Sequence, residues 1–283
     1  FIGRRLTGNN VGGLFTALMI AVTQFFVSRT TGESSDTDVY VVFFPLLITW
    51  LFIEAFETKK NWWRYTSIIL AGLITGVFSS AWLGGWWYIF EFLIATIVLY
   101  LIYLLFIKEI IKQKSFKFNF AESIKSTEFR YAFVLVVIYV AVSSLSVILL
   151  QGWTIFYLGL LGPLSFLQLK SVAVDSLWPN IYTTVAELNT VAISSVIDQL
   201  GGRMLFYLAI LGIVFAALRK NEAGQRDIKM SILLTMWFIA SLFATTRGVR
   251  FVLQATPVFS IAFGAFAGVT YEYATRWIAS GLK

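Results

Sequence analysis

Apolar runs of about 17 to 22 residues recur along this chain, and no other feature constrains its fold as tightly. A helix of that length crosses a hydrocarbon core of about 30 Å. An isolated strand in lipid would leave its amides and carbonyls unpaired, so helix is the expected state. About eight such runs are read, at 9–27, 39–56, 66–83, 86–107, 131–151, 203–219, 230–246 and 251–270. The expected fold class is all-α, a polytopic transmembrane helical bundle of about eight or more spans. Composition agrees: of 283 residues 58% are hydrophobic and 13% charged, too few polar groups to clothe a soluble domain. The segment GWTIFYLGLLGPLSFLQ (152–168) is apolar but broken by Gly and Pro, and is expected to be interfacial or re-entrant. The opening FIGRR and the apolar residues after it lead into further apolar segments rather than a polar mature domain, so they read as the first span rather than a signal peptide.

Placing the N-terminus in the cytoplasm puts 17 of the 22 Lys and Arg residues on the inner side, leaving Arg29, Lys170, Arg203, Arg247 and Arg250 outside. That asymmetry follows the positive-inside rule. The net charge of +7 is thus read as a topology signal, with no nucleic-acid partner. Trp62, Trp63, Trp82, Trp86, Trp87 and Trp153 fall near span ends, as aromatic belts do. The expected protein is a multi-pass cell-membrane protein with both ends of this chain cytoplasmic. It forms one transmembrane domain over 1–283, with external loops at about 28–38 and 152–202 and without internal repeats.

The chain has neither cysteine nor histidine. Thiolate sites, imidazole ligands and Ser-His nucleophiles are excluded at once, leaving carboxylates, Arg, Lys, Tyr and hydroxyls. Asp36-Thr37-Asp38 sets two carboxylates two residues apart at the mouth of a span. Such a pair can hold a hard cation through oxygen, or it can cap the helix that follows. Glu187 is either an exposed acid on a short amphipathic helix or a loop acid with a task. Arg247 and Arg250, at the outer end of the last span, can snorkel to headgroups or grip a phosphate by forked hydrogen bonds. Glu91 lies just inside a span, where acids are costly and often functional. Pro45 and Pro257 are expected to kink or start helices.

Three ordered stretches carry a family resemblance. SRTTGESSDTDVYVVFFPLLITWLFIEAFE (28–57) resembles the second acidic motif, and following span, of the catalytic subunit of oligosaccharyltransferase in its archaeal and bacterial single-subunit form. TTVAELN (183–189) is similar to the short Thr/Ser-x-x-Glu motif of that family's long external loop, and TTRGVRFVLQATPVFSIAFG (245–264) to its Arg-bearing stretch. The resemblance implies a glycosyltransferase C-type membrane domain. Its expected activity is transfer of a glycan from a polyprenyl (dolichyl) pyrophosphate donor to Asn of Asn-x-Ser/Thr acceptors. It also implies that Asp36, Asp38 and Glu187 are catalytic and bind a divalent metal, Mg²⁺ or Mn²⁺. Arg250 and Arg29 would then contact the lipid pyrophosphate. The implied partners are lipid-linked oligosaccharide, an acceptor polypeptide and membrane lipid.

Departures from the family pattern shape one more expectation. The family's first external-loop Asp and its Trp-Trp-Asp motif have no counterpart here, and three clear spans lie between the first two motifs where the family has five. A fragment, without the soluble C-terminal domain and inactive alone, is expected. The alternatives are another polyprenyl-phosphate-dependent membrane glycosyltransferase, or a transporter, which would place acids at mid-membrane and show a repeated half.

Overall fold

The computed structural model describes residues 1–30, 37–108, 120–164, 191–218 and 228–281. Every regular element among them is helical. In order these are α1 (Ile2–Thr7), α2 (Asn10–Val22), α3 (Gln24–Thr30), α4 (Asp38–Glu57), α5 (Asn61–Ala81), α6 (Trp87–Ile102), α7 (Phe120–Lys125), α8 (Thr127–Gln151), α9 (Trp153–Leu160), α10 (Ile193–Gln199), α11 (Arg203–Leu218), α12 (Ile228–Thr245) and α13 (Val252–Gly281). A π-helical turn, Tyr103–Ile107, prolongs α6, and a 3₁₀ turn, Val249–Phe251, precedes α13.

All eight apolar runs are helical where described, but the expected eight spans are not reached by length and apolarity. Among the described residues five helices qualify outright, and up to seven if each of two bent pairs counts as one span. The first expected span breaks by 59° between α2 and α3. Thr23 adopts extended backbone there, and its hydroxyl donates to the Met19 carbonyl at 2.6 Å. A second break, of 89°, separates α10 from α11. Gly201 and Gly202 have φ of 120° and 92°, a left-handed region closed to most side chains. Helix α5 is long enough but rich in Gly, Ser and Thr. Helix α9 accounts for part of the doubtful 152–168 segment, and its eight residues are too few to span. Pro45 and Pro257 both lie inside helices.

The described residues form two compact units, Phe1–Val42 with Leu164–Lys283, and Phe43–Pro163. In the first unit α13 is central, packing on α1, α2, α11 and α12. Its spanning window is 83% buried, against 33% for that of α8. Backbones approach closely because Gly264 and Gly268, four apart, lie over the α1–α2 pair. A Cβ on Gly268 would fall 2.6 Å from Thr7 Cγ2, and one on Gly264 would meet the Gly12 carbonyl oxygen at 2.6 Å. The Asn9 side chain donates to the Gly268 carbonyl at 2.9 Å, fastening the same contact.

The second unit repeats the device. Gly72 and Gly76 on α5 face α8, and Ser146 donates to the Gly72 carbonyl at 3.0 Å. The Tyr139 hydroxyl lies 3.2 Å from that of Thr75, and its buried ring meets Phe52 and Phe90. Trp86, fully buried, stacks on Phe156 with Gly159 beneath its indole. Spaced small residues are the usual means by which membrane helices associate.

Gly264→Leu is therefore expected to destabilise the protein by about 1–3 kcal/mol through overpacking. Thermal unfolding in detergent checks this, and an unchanged midpoint would mean that α13 and α2 do not meet at this point.

Candidate functional site

Two helix ends and a turn meet around one carboxylate. Asp38 is the first residue of α4, where negative charge favours the helix N-terminus, and its side chain is 1% exposed. Arg250 Nη2 donates to Asp38 Oδ1 at 3.3 Å across 212 residues of sequence. Arg29 Nη1 stands 3.7 Å from Asp38 Oδ2. All three residues belong to the first unit.

Local structure explains each placement. The break at Thr23 re-aims α3, whose last turn carries Arg29, and that guanidinium also lies 5.5 Å from the centre of the Phe25 ring. On the other side, α12 ends where the hydroxyls of Thr245 and Thr246 donate to the Leu242 and Phe243 carbonyls, each at 2.7 Å. The chain then turns through Arg247 and Gly248 into the 3₁₀ turn that presents Arg250. Ser241 donates to the Gln254 carbonyl at 3.3 Å and closes the base of this hairpin. Arg247 takes a separate position, its guanidinium 5.2 Å from the centre of the Phe243 ring.

Burial of a lone carboxylate would be costly, and the two arginines offset that cost. They in turn keep an outward aspect, Arg29 being 24% and Arg250 33% exposed. One carboxylate against two guanidiniums leaves the trio with a net positive charge. Such a group can hold two forked donors in place and offer them to a phosphate.

Asp36 and Glu187 lie outside the described residues. Asp38, Arg29 and Arg250 are brought together, while Glu91 sits part-buried on α6 in the other unit. Among the described residues there is no group of three metal-binding side chains. Asp36, Asp38 and Glu187 are nonetheless a set of hard oxygen donors, suited to Mg²⁺ or Mn²⁺. The direct pairing of Asp38 with Arg250 was missed by sequence reasoning. The excess of basic over acidic groups beside a membrane boundary, at Arg29, Arg247 and Arg250, was the available signal.

The family model described as "Oligosaccharyl transferase STT3, N-terminal" matches residues 1–278. A dolichyl-phosphooligosaccharide-protein glycotransferase of Methanococcus voltae is 30% identical over 290 residues, covering 96% of this chain and 32% of the relative. Its namesake in Methanocaldococcus jannaschii is 26% identical over 341 residues, covering 95% and 36%. An undecaprenyl-diphosphooligosaccharide–protein glycotransferase of Campylobacter jejuni is 24% identical over 279 residues, covering 89% and 36%. The chain thus spans about a third of the length of these curated relatives.

Removing Arg250 takes one charged donor from the buried Asp38 carboxylate, a loss of about 1–3 kcal/mol. Arg250→Ala should lower the unfolding midpoint, and Asp38→Asn in the same chain should recover part of the loss. Additive effects of the two substitutions in a double-mutant cycle would contradict the contact.

Proposed function

The chain belongs to the oligosaccharyl transferase STT3 family, and from that premise we propose that it carries part of a membrane site for protein N-glycosylation. The reaction moves a glycan from a polyprenyl (dolichyl) pyrophosphate donor to the side-chain amide of Asn in Asn-x-Ser/Thr. The observation that carries the reading is the convergence of Arg29 and Arg250 on buried Asp38, at the boundary of helices long and apolar enough to cross a membrane. In this reading the loops bearing the site face the exterior and both ends of the chain face the cytoplasm, in keeping with the distribution of Lys and Arg.

The bond between the sugar's anomeric carbon and the pyrophosphate oxygen breaks, and one forms from that carbon to the acceptor nitrogen. Negative charge collects on the departing pyrophosphate. Arg250 and Arg29 stabilise that charge, and their contact with Asp38 holds them in position before the donor arrives. The acceptor nitrogen gives up a proton to a neighbouring carboxylate, Asp36 or Glu187, as its new bond forms. An amide is a weak nucleophile, and Glu187 and Asp36 would accept hydrogen bonds from its N–H groups to raise its reactivity. A divalent ion held by Asp36, Asp38 and Glu187 would supply further charge stabilisation for the leaving group. The donor's polyprenyl tail fits a site that sits where helices meet the bilayer surface.

In the full-length enzyme Asp36→Ala and Glu187→Ala are each expected to lower transfer by about 100-fold or more. Arg250→Lys keeps the charge but loses the fork. It should raise the KM for the lipid-linked donor and leave that for the acceptor peptide unchanged. Full transfer by Glu187→Ala, or an unchanged donor KM in Arg250→Lys, would refute the role given to that residue.

A further inference from the structure

A second basic site lies in the other unit and is independent of the proposed reaction. Helices α5 and α8 begin at a common end, and between their first turns is a cavity of about 280 Å³ lined by Tyr65, Thr127, Arg130, Tyr131 and Val134. Two features of its surroundings bear on what it could hold. Arg64 is held rigidly, donating from Nη1 to Asn61 Oδ1 at 3.2 Å and from Nη2 to the Thr58 carbonyl at 2.7 Å. Its guanidinium lies 4.7 Å from the centre of the Tyr131 ring, one wall of the cavity. Arg130, by contrast, is exposed and forms no ion pair among the described residues. The nearby acid, Glu128, is engaged by Lys108. The adjoining helix starts add partial positive charge.

The surface leading away from this cavity indicates the ligand's other half. Phe133, Val134 and Val137 on α8, and Ile69, Leu73 and Val77 on α5, are exposed apolar side chains running along the same two helices. Trp62, 66% exposed, marks the interfacial level beside them. A cationic, hydroxyl-lined recess followed by apolar strips matches a phosphate-bearing headgroup followed by acyl chains. Basic pockets between membrane helices recognise anionic lipids in this way.

We propose that the recess at Arg130 binds the phosphate of an anionic membrane lipid, with the lipid's chains laid along α5 and α8. Phosphate is the recognised group, and the apolar strips select the lipid over the free ion. Tyr65, Tyr131 and Thr127 contribute hydroxyls to the headgroup, while Arg130 supplies the mobile charge that closes on it.

The test is native mass spectrometry of the full-length protein in a neutral detergent, titrated with short-chain phosphatidylglycerol. Arg130→Gln should weaken retention of one lipid by about tenfold, the loss of a charge-assisted contact. Lys125→Gln, an exposed basic change at the same end of the unit, should alter retention by less than about twofold if diffuse surface charge contributes little. Inorganic phosphate at the concentration of the lipid should not displace it. Three results would overturn the proposal: parental retention in Arg130→Gln, equal losses in the two variants, or displacement by inorganic phosphate.

Discussion

Apolar side chains gain little by leaving lipid for the interior of a membrane protein, because both surroundings are hydrocarbon. Helices that associate there must find another source of cohesion, and in this chain they find it in close backbone approach and hydroxyl hydrogen bonds. Gly264 and Gly268 let α13 come down on α1 and α2, where Thr7 and Asn9 lie. Gly72 and Gly76 do the same for α5 against α8, with Ser146 donating across the contact. Such seams organise both units, and in the second the rings of Tyr139, Phe52, Phe90 and Trp86 pack against one another.

Charge is handled by the opposite rule. The buried carboxylate of Asp38 is met by two arginines, and those arginines come from helices whose regular paths are interrupted. Had α2 and α3 been one straight helix, Arg29 would not have been re-aimed at Thr23. Had α12 run directly into α13, Arg250 would have had no turn to present it. Breaks that weaken the helices as spans therefore place the charged groups, and the proposed donor site depends on them. The recess at Arg130 lies instead between the first turns of two helices, with the Arg64 guanidinium over the Tyr131 ring beside it.

Much of this could be read from the sequence, for a physical reason. Hydropathy acts over one helix length, so α4, α6, α8, α12 and α13 were marked by their own residues, as was the likeness of 28–57 and 245–264 to a family. The glycine spacings at 72/76 and 264/268 were also present, although a run-length reading passes over them because glycine does not interrupt an apolar run. The span count was less legible. The 9–27 run hid the break at Thr23, since neither residue type nor hydropathy there differs enough to announce a 59° bend.

The sequence by itself determined that the chain is a helical membrane protein, where its long helices lie, and which acids and arginines stand at their ends. Those properties depend on local composition and on the solvent a segment can tolerate. Only the tertiary structure decided that Asp38 pairs with Arg250 rather than with Arg247, three residues earlier, and that Arg29 joins them. An ion pair spanning 212 residues has no local signature, because it is fixed by helix breaks, seam geometry and the direction of a short turn acting together.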